Sequence, residues 1–192
     1  MKKINLLLAT SVTAGILQAC SGSKTNSTTD STTVKTDSTT TTVKVDSAVA
    51  LADTAFASKA AVGGMAEVAL GKMAAAKGAS KEVKDFGSMM VMDHGKANDE
   101  LKAIAQKENL ALPAGLDAEH QAKSDSLSKL SGKDFDKAYI AAMVDGHKKT
   151  LALMQTEASG GKDADLKAFA AKTAPVVQHH LDEINKIQSS LK

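Results

Sequence analysis

Ser80-Lys81-Glu82-Val83-Lys84-Asp85-Phe86-Gly87-Ser88-Met89-Met90-Val91-Met92-Asp93-His94-Gly95-Lys96-Ala97-Asn98-Asp99-Glu100-Leu101 is the stretch that decides the fold. Val83, Phe86, Met90, His94, Ala97, Leu101 and then Ile104 recur every three or four residues, the spacing of one face of an α-helix. Ser80 stands where an N-cap belongs, with Glu82 and Asp85 in the first turn facing the helix dipole. Gly78-Ala79 in front of it ends whatever precedes. Working outward, the same period predicts helices over residues 50–77, 81–109, 134–158 and 163–190, with a shorter one near 116–130. The breaks are Leu112-Pro113-Ala114-Gly115, Ser131-Gly132 and Ser159-Gly160-Gly161. Aromatic residues make up only 3% of the chain and Trp is absent, which disfavours strands. The expectation is an all-α protein.

Four long helices with one long connection suggest a four-helix bundle with a crossover, as in ferritin-like folds. Its inner faces read helix by helix. Phe56, Ala60, Gly63, Glu67, Leu70 and Ala74 line the first, and the opening stretch the second. Phe135, Tyr139, Met143, His147, Leu151 and Met154 line the third. Leu166, Phe169, Thr173, Val176, His180, Ile184, Ile187 and Leu191 line the fourth. Tyr139 aside, each face carries one titratable residue, Glu67, His94, His147 or His180, and all other charges are expected outside. His120 and His179 fall off the inner faces. The Gly63-Gly64 pair is expected to allow close helix approach.

Depth along the bundle tests whether these four groups meet. At 1.5 Å per residue, Glu67 and His94 lie roughly 18 and 22 Å from the first turn, and His147 about 20 Å from the other. His180 lies about 28 Å from that same turn, and Pro175 adds an interior break to its helix. Glu67, His94 and His147 are expected to share a level, and His180 to stand one to two turns off.

Three readings of the layer stay open. Three imidazoles and a carboxylate suit one Zn, Fe, Ni or Cu ion. Alternatively, the layer is a hydrogen-bonded polar core in a structural or interaction module. A third, softer reading adds Met90 and Met143, one turn before His94 and His147, as thioether ligands for copper. A dinuclear iron centre needs Glu-x-x-His on two helices, but Val91, Val144 and Val177 occupy the positions three before His94, His147 and His180. No nucleophile elbow, P-loop or dinucleotide glycine motif appears, so no enzymatic activity is assigned.

The N-terminal quarter reads as targeting. Lys2 and Lys3 precede a mostly apolar run over residues 4–17, too short to span a bilayer comfortably. Leu17-Gln18-Ala19-Cys20 resembles the bacterial lipobox, which implies cleavage before Cys20 and lipid on its new N-terminus. Residues 1–19 are then a signal peptide, 20–47 a lipidated Ser/Thr-rich tether, and 48–192 the folded domain. The tether has too little apolar surface to offset its ordering entropy and, as a coil, spans roughly 30 Å. Asp30-Ser31-Thr32, Asp37-Ser38-Thr39 and Asp46-Ser47-Ala48 resemble O-glycosylation acceptor triplets of Bacteroidetes. The expected location is the cell envelope, lipid-anchored, with the outer membrane facing the periplasm favoured because Ser21 is not an inner-membrane retention Asp. Cys20 is the only cysteine, which excludes an internal disulfide and any multi-cysteine metal site. Every cationic side chain is Lys, and without Lys2 and Lys3 the 22 acids are matched by 22 lysines. Nucleic acid is therefore not an expected partner, the membrane is, and no protein partner is indicated.

Several stretches together resemble a known family. Ala61-Val62-Gly63-Gly64-Met65-Ala66-Glu67-Val68, Met90-Val91-Met92-Asp93-His94, Phe135-Asp136-Lys137-Ala138-Tyr139 and Ala170-Ala171-Lys172-Thr173-Ala174-Pro175-Val176 are similar, in this order, to the bacterial envelope family called domain of unknown function 4142. The resemblance covers residues 53–190. It implies a ferritin-like helical bundle, usually exported, with no agreed activity, and its Glu and His positions fall on Glu67, His94, His147 and His180.

Overall fold

The computed structural model describes residues 47–191, with side chains described from Leu51 onward. Cys20, the signal and most of the tether lie outside the described residues. Five helices follow in order: α1 (Ser47–Lys77), α2 (Lys81–Lys107), α3 (Ala118–Ser128), α4 (Gly132–Gly160) and α5 (Ala164–Ser190). There is no strand among the described residues, and none of their helices is long and apolar enough to cross a membrane. The all-α expectation holds, and the boundaries fall within a few residues of the sequence reading.

Local chemistry starts and stops each helix. Ser80 caps α2, its hydroxyl accepting from Val83 N. Asp117 caps α3 by accepting from His120 N, and Asp163 caps α5 by accepting from Asp165 N and Leu166 N. Asn109, at φ 55°, ends α2 in the left-handed conformation, so that Leu110 N reaches back to Ala105 O. Pro175 stays inside α5.

α1 and α2 form one antiparallel hairpin, and α4 and α5 a second. α1 packs on α4, α2 on α5, and α3 lies over α1 and α4 in the long crossover. Two buried aspartates tie the hairpins end to end. Asp136, near the start of α4, accepts from Ala79 N and Ser80 N in the α1–α2 turn. Asp53, near the start of α1, accepts from Lys162 N and Asp163 N in the α4–α5 turn. The two halves repeat each other: Asp53-Thr54-Ala55-Phe56 matches Asp136-Lys137-Ala138-Tyr139, and the caps Ser80 and Asp163 each stand six residues before a Phe. Phe56 meets Phe169 edge-on at 6.4 Å between centroids, and Tyr139 meets Phe86 likewise at 6.3 Å.

These contacts build an apolar cluster at each end of the bundle. Val83, Phe86, Met90, Phe135, Tyr139 and Met143 belong to one, and Phe56, Leu101, Met154, Leu166 and Phe169 to the other. Three details differ from the sequence reading. Asp53, Asp136 and Glu157 are buried although their charges were expected outside, because two of them serve the turns just described. Val177 rather than Val176 faces inward, four residues after Thr173, and Val176 is 40% exposed. The close backbone approach is at Gly71 and Gly87, where a Cβ on either would come within 2.7 and 2.6 Å of the other's carbonyl oxygen. At Gly64 the atoms nearest an added Cβ belong to the Asn98 side chain of α2, with Oδ1 at 2.1 Å, so this glycine also admits its neighbour closely, whereas at Gly63 a Cβ would meet nothing within 4 Å.

Candidate metal centre

The two aspartate ties fix the depth of every inner residue. His94 lies fourteen residues after Ser80, and His147 eleven after Asp136, which is bonded to Ser80, so both are roughly 17–21 Å from that end. Counted from Asp163 at the other end, His180 is about 25 Å in, which along this bundle brings it to nearly the same level. The structure accordingly gathers all three imidazoles, His180 included. Their ring centroids stand 5.6 Å (His94–His147), 5.2 Å (His94–His180) and 5.5 Å (His147–His180) apart, almost an equilateral triangle. One nitrogen from each ring lies within 4.8 Å of the others. All three side chains are buried, and the Phe86 ring stands 6.1 Å from His147 and 6.4 Å from His180.

Each imidazole uses one nitrogen on the protein and leaves the other free. The His147 Nδ1 is 2.9 Å from Met143 O, an acceptor-only partner, so Nδ1 carries the proton and donates. The His180 Nε2 is 3.0 Å from Asp93 Oδ2 and donates in the same sense. The His94 Nδ1 is 2.8 Å from Glu67 Oε2, but off the line of the ring N–H, so Glu67 Oε2 gains an ionic contact without a well-directed hydrogen bond. Glu67 Oε1 lies 3.7 Å from His147 Nδ1 and 3.5 Å from Thr150 Oγ1. What remains without a partner is His94 Nε2, His147 Nε2 and His180 Nδ1, together with the Tyr139 hydroxyl.

Burial and charge set the protonation of the layer. Burial pushes the His180 imidazole down to about 4, despite the Asp93 carboxylate, and pushes His147 down against the opposing pull of Glu67. For His94, burial also lowers, but the Glu67 carboxylate beside it outweighs that and raises the pKa. For Glu67, burial works against the charge, and His94, with His147 and His180 behind it, overcomes it and holds the carboxyl below its ordinary value. At neutral pH His147 and His180 are therefore neutral, each with a free lone pair.

Three neutral-capable imidazoles, each oriented by a carboxylate or carbonyl on its far nitrogen, form the donor set of a tris-histidine metal site. Two nitrogens bound to one ion at tetrahedral angles lie about 3.3 Å apart, so modest side-chain rotation closes this triangle around an ion. The sequence-level candidates divide accordingly. His94, His147 and His180 form the ring, whereas Glu67 stands behind His94 as its anionic partner. Met90 and Met143 are buried in the apolar cluster next to the layer, while Met92 is 58% exposed, so the methionines before His94 share no single face. His120 sits against Asp117 at 2.7 Å and lines a cleft between α1 and α4, and His179 is exposed as expected. Asp93 is the residue the sequence reading passed over.

Two clefts approach the layer. One of about 480 Å³ between α1 and α4, under α3, reaches Glu67 and Met143 and includes Gly63, Gly146 and Thr150 in its walls. The other, about 300 Å³ between α2 and α5, ends against His94 and His180 and is flanked by Asp93, Ala97, Thr173 and Val176.

Comparison with known proteins gives two findings. A family model described as "Domain of unknown function (DUF4142)" matches residues 38–187. A solved structure described as "Crystal structure of DUF305 fragment from Deinococcus radiodurans" superposes with a TM-score of 0.65, covering 72% of this chain and 96% of that one, at 10% identity. At that identity the likeness speaks for the shared helical fold alone. No curated protein matches the chain.

Proposed function

The chain belongs to the DUF4142 family of helical domains of unknown function, and from that premise we propose that it is an envelope lipoprotein whose bundle holds one transition-metal ion on His94, His147 and His180. The observation that carries this reading is the convergence of three buried imidazoles whose unpartnered nitrogens are His94 Nε2, His147 Nε2 and His180 Nδ1. Glu67 and Asp93 hold two of the rings from behind, and the Met143 carbonyl holds the third. Imidazole donors suit Zn, Cu, Ni or Fe, and with three protein nitrogens such an ion keeps a coordination position for an outside ligand.

The anchoring half of the reading rests on the sequence. Lys2-Lys3, the apolar run and Ala19-Cys20 support lipidation at Cys20, and the Ser/Thr tether supports a domain held off the outer membrane in the periplasm. Replacing Cys20 by Ala should move the protein out of the membrane fraction. A wild-type protein found free in the soluble fraction with an unmodified N-terminus overturns that half.

The competing reading is a polar layer with no ligand, favoured by the hydrogen bond that His147 already makes within α4. Purification without a histidine tag or chelator, followed by elemental analysis and melting with and without added Zn, Cu, Ni and Fe, separates the two. Close to one metal per chain and a raised melting point support the centre. No bound metal and no shift with any of the four ions overturns it.

A further inference from the structure

We infer that the α2–α5 cleft is the channel through which a small exogenous ligand, of the class of one-donor anions and peroxides, reaches the open position of the ion. The inference rests on the tris-histidine reading above and deepens it. Three observations lead to it. The protein supplies three nitrogens to the ring and a transition metal of this type takes at least four donors, so one position is left to something from solution. Glu67, the nearest carboxylate, is turned to His94 Nδ1 and His147 Nδ1, on the sides of those rings away from their free nitrogens. Of the two clefts, the one between α2 and α5 has two of the three ring histidines, His94 and His180, in its wall, whereas the α1–α4 cleft has none.

The size and lining of the cleft limit what enters. About 300 Å³ accommodates several water molecules or a ligand of a few heavy atoms. Ala97, Thr173 and Val177 make its walls mostly apolar, which disfavours large polar molecules. At the mouth, Lys172 on α5 bonds Glu100 on α2 at 2.7 Å, a bridge over exposed side chains that narrows the opening without closing it. Lys96 stands beside it and presents positive charge to an incoming anion. Asp93, which accepts from the neutral His180 Nε2, keeps its negative charge in the wall, so Lys96 and Lys172 are matched by Asp93 and Glu100. A small one-donor ligand such as azide therefore meets a rim of balanced charge, a narrow, mostly apolar passage and, on this reading, an ion at its end.

The test uses azide on the purified protein loaded with one equivalent of Cu²⁺, read by the charge-transfer absorption that azide produces on binding copper. The expected result is a saturable new band. Ala97→Leu, which fills the passage one turn after His94, should weaken azide binding by about tenfold or more, close to 1.4 kcal/mol. Val176→Trp, at an exposed position on the mouth where folding is not at stake, should do the same. Gly63→Leu, directed into the open space of the opposite cleft, should leave azide binding unchanged. In all three variants copper affinity should stay near that of wild type. Copper bound with no azide band, or weakened azide binding in Gly63→Leu instead of the α2–α5 variants, overturns the inference while leaving the metal centre intact. No copper bound at the three histidines overturns the centre itself, and this inference with it.

Discussion

His147→Leu separates a binding site from a structural layer more sharply than truncation does. His147 is fully buried, and its Nε2 has no partner in the protein. Its Nδ1 bonds only the Met143 carbonyl, which sits one turn earlier in α4 and keeps its helical bond without the imidazole. Leu therefore fills most of the ring's volume, orphans no acceptor and removes one unsatisfied buried nitrogen. Leaving such a nitrogen unsatisfied costs about 1–3 kcal/mol, so without metal the Leu variant should be as stable as wild type or up to about 2 kcal/mol more stable. His147→Ala removes the same nitrogen but opens a cavity costing about 2–4 kcal/mol, and should be destabilised by about 1–2 kcal/mol net. With metal at a hundredfold excess over Kd, wild type gains roughly 2.7 kcal/mol and neither variant gains it. The order of wild type and His147→Leu should thus reverse between chelator and metal. At about 3–4 °C per kcal/mol for a domain of this size, the reversal is easily read by calorimetry or circular dichroism. If His147→Leu in chelator melts as far below wild type as His147→Ala does, the imidazole is a satisfied member of the core and the reasoning fails.

Other outcomes follow from the same geometry. Asp93→Asn, at a partly exposed position holding His180 Nε2, should lower metal affinity about 10–100-fold in a competition titration while moving the metal-free melting point little. Glu157 is buried with its Oε1 unpartnered, and burial, reinforced by Asp53 and Asp163, raises its pKa. A raised folded pKa means that stability present at acid pH is lost as pH rises through that pKa, so Glu157→Gln should stabilise by on the order of 1 kcal/mol at pH 7 and by nothing at pH 4. Equal melting shifts at both pH values would refute this. Gly71→Ala drives a Cβ to 2.7 Å from the Gly87 carbonyl oxygen and should cost about 1–3 kcal/mol in denaturant unfolding. Gly63→Ala, with open space around its Cβ, should instead be neutral or stabilising by up to about 1 kcal/mol.

The helices were legible because they are a local property: period, caps and breaks are all read within a few residues. The level of His180 was not, because a count from the α4–α5 turn gives backbone heights alone, and the His147 and His180 side chains span the remaining difference to bring their rings to 5.5 Å. The offset of one hairpin against the other, which levels His94 with His147, is set by Asp136 on Ala79–Ser80 and by Asp53 on Lys162–Asp163, bonds that join residues far apart in the chain. The signal was present as the repeated Asp-x-Ala-aromatic at residues 53–56 and 136–139, which puts an acid one turn before each core aromatic. Asp93 escaped for a different reason. Residues adjacent on a helix point about 100° apart, so a stripe drawn through His94 excludes its neighbour, although that neighbour faces α5 and meets His180.

The arithmetic of donors and acceptors bears on what the layer is for. A polar core layer contributes to uniqueness of fold only when its members are satisfied, and a half-satisfied one is worse than an apolar layer. Here the outward nitrogens are all used, by Glu67, Met143 and Asp93, and the inward ones are all unused. A layer selected for internal hydrogen bonding would have no cause to divide so cleanly. Buried water could answer part of the need, but one molecule has two protons to give, and three neutral imidazoles ask for three. It serves all of them only if His94 is protonated and donates in turn, a form that Glu67 favours. A metal ion satisfies the three nitrogens at once, keeps each far-side bond intact, and sets its charge against the Glu67 carboxylate. Exchanging His94 and His147 for Leu together should therefore abolish the metal-dependent stabilisation no more completely than either change alone, because one missing nitrogen already opens the ring. If instead each single variant keeps half of that stabilisation and the effects add, His94 and His147 do not share one ion, and if both variants keep all of it the ions are held elsewhere; either result refutes the ring.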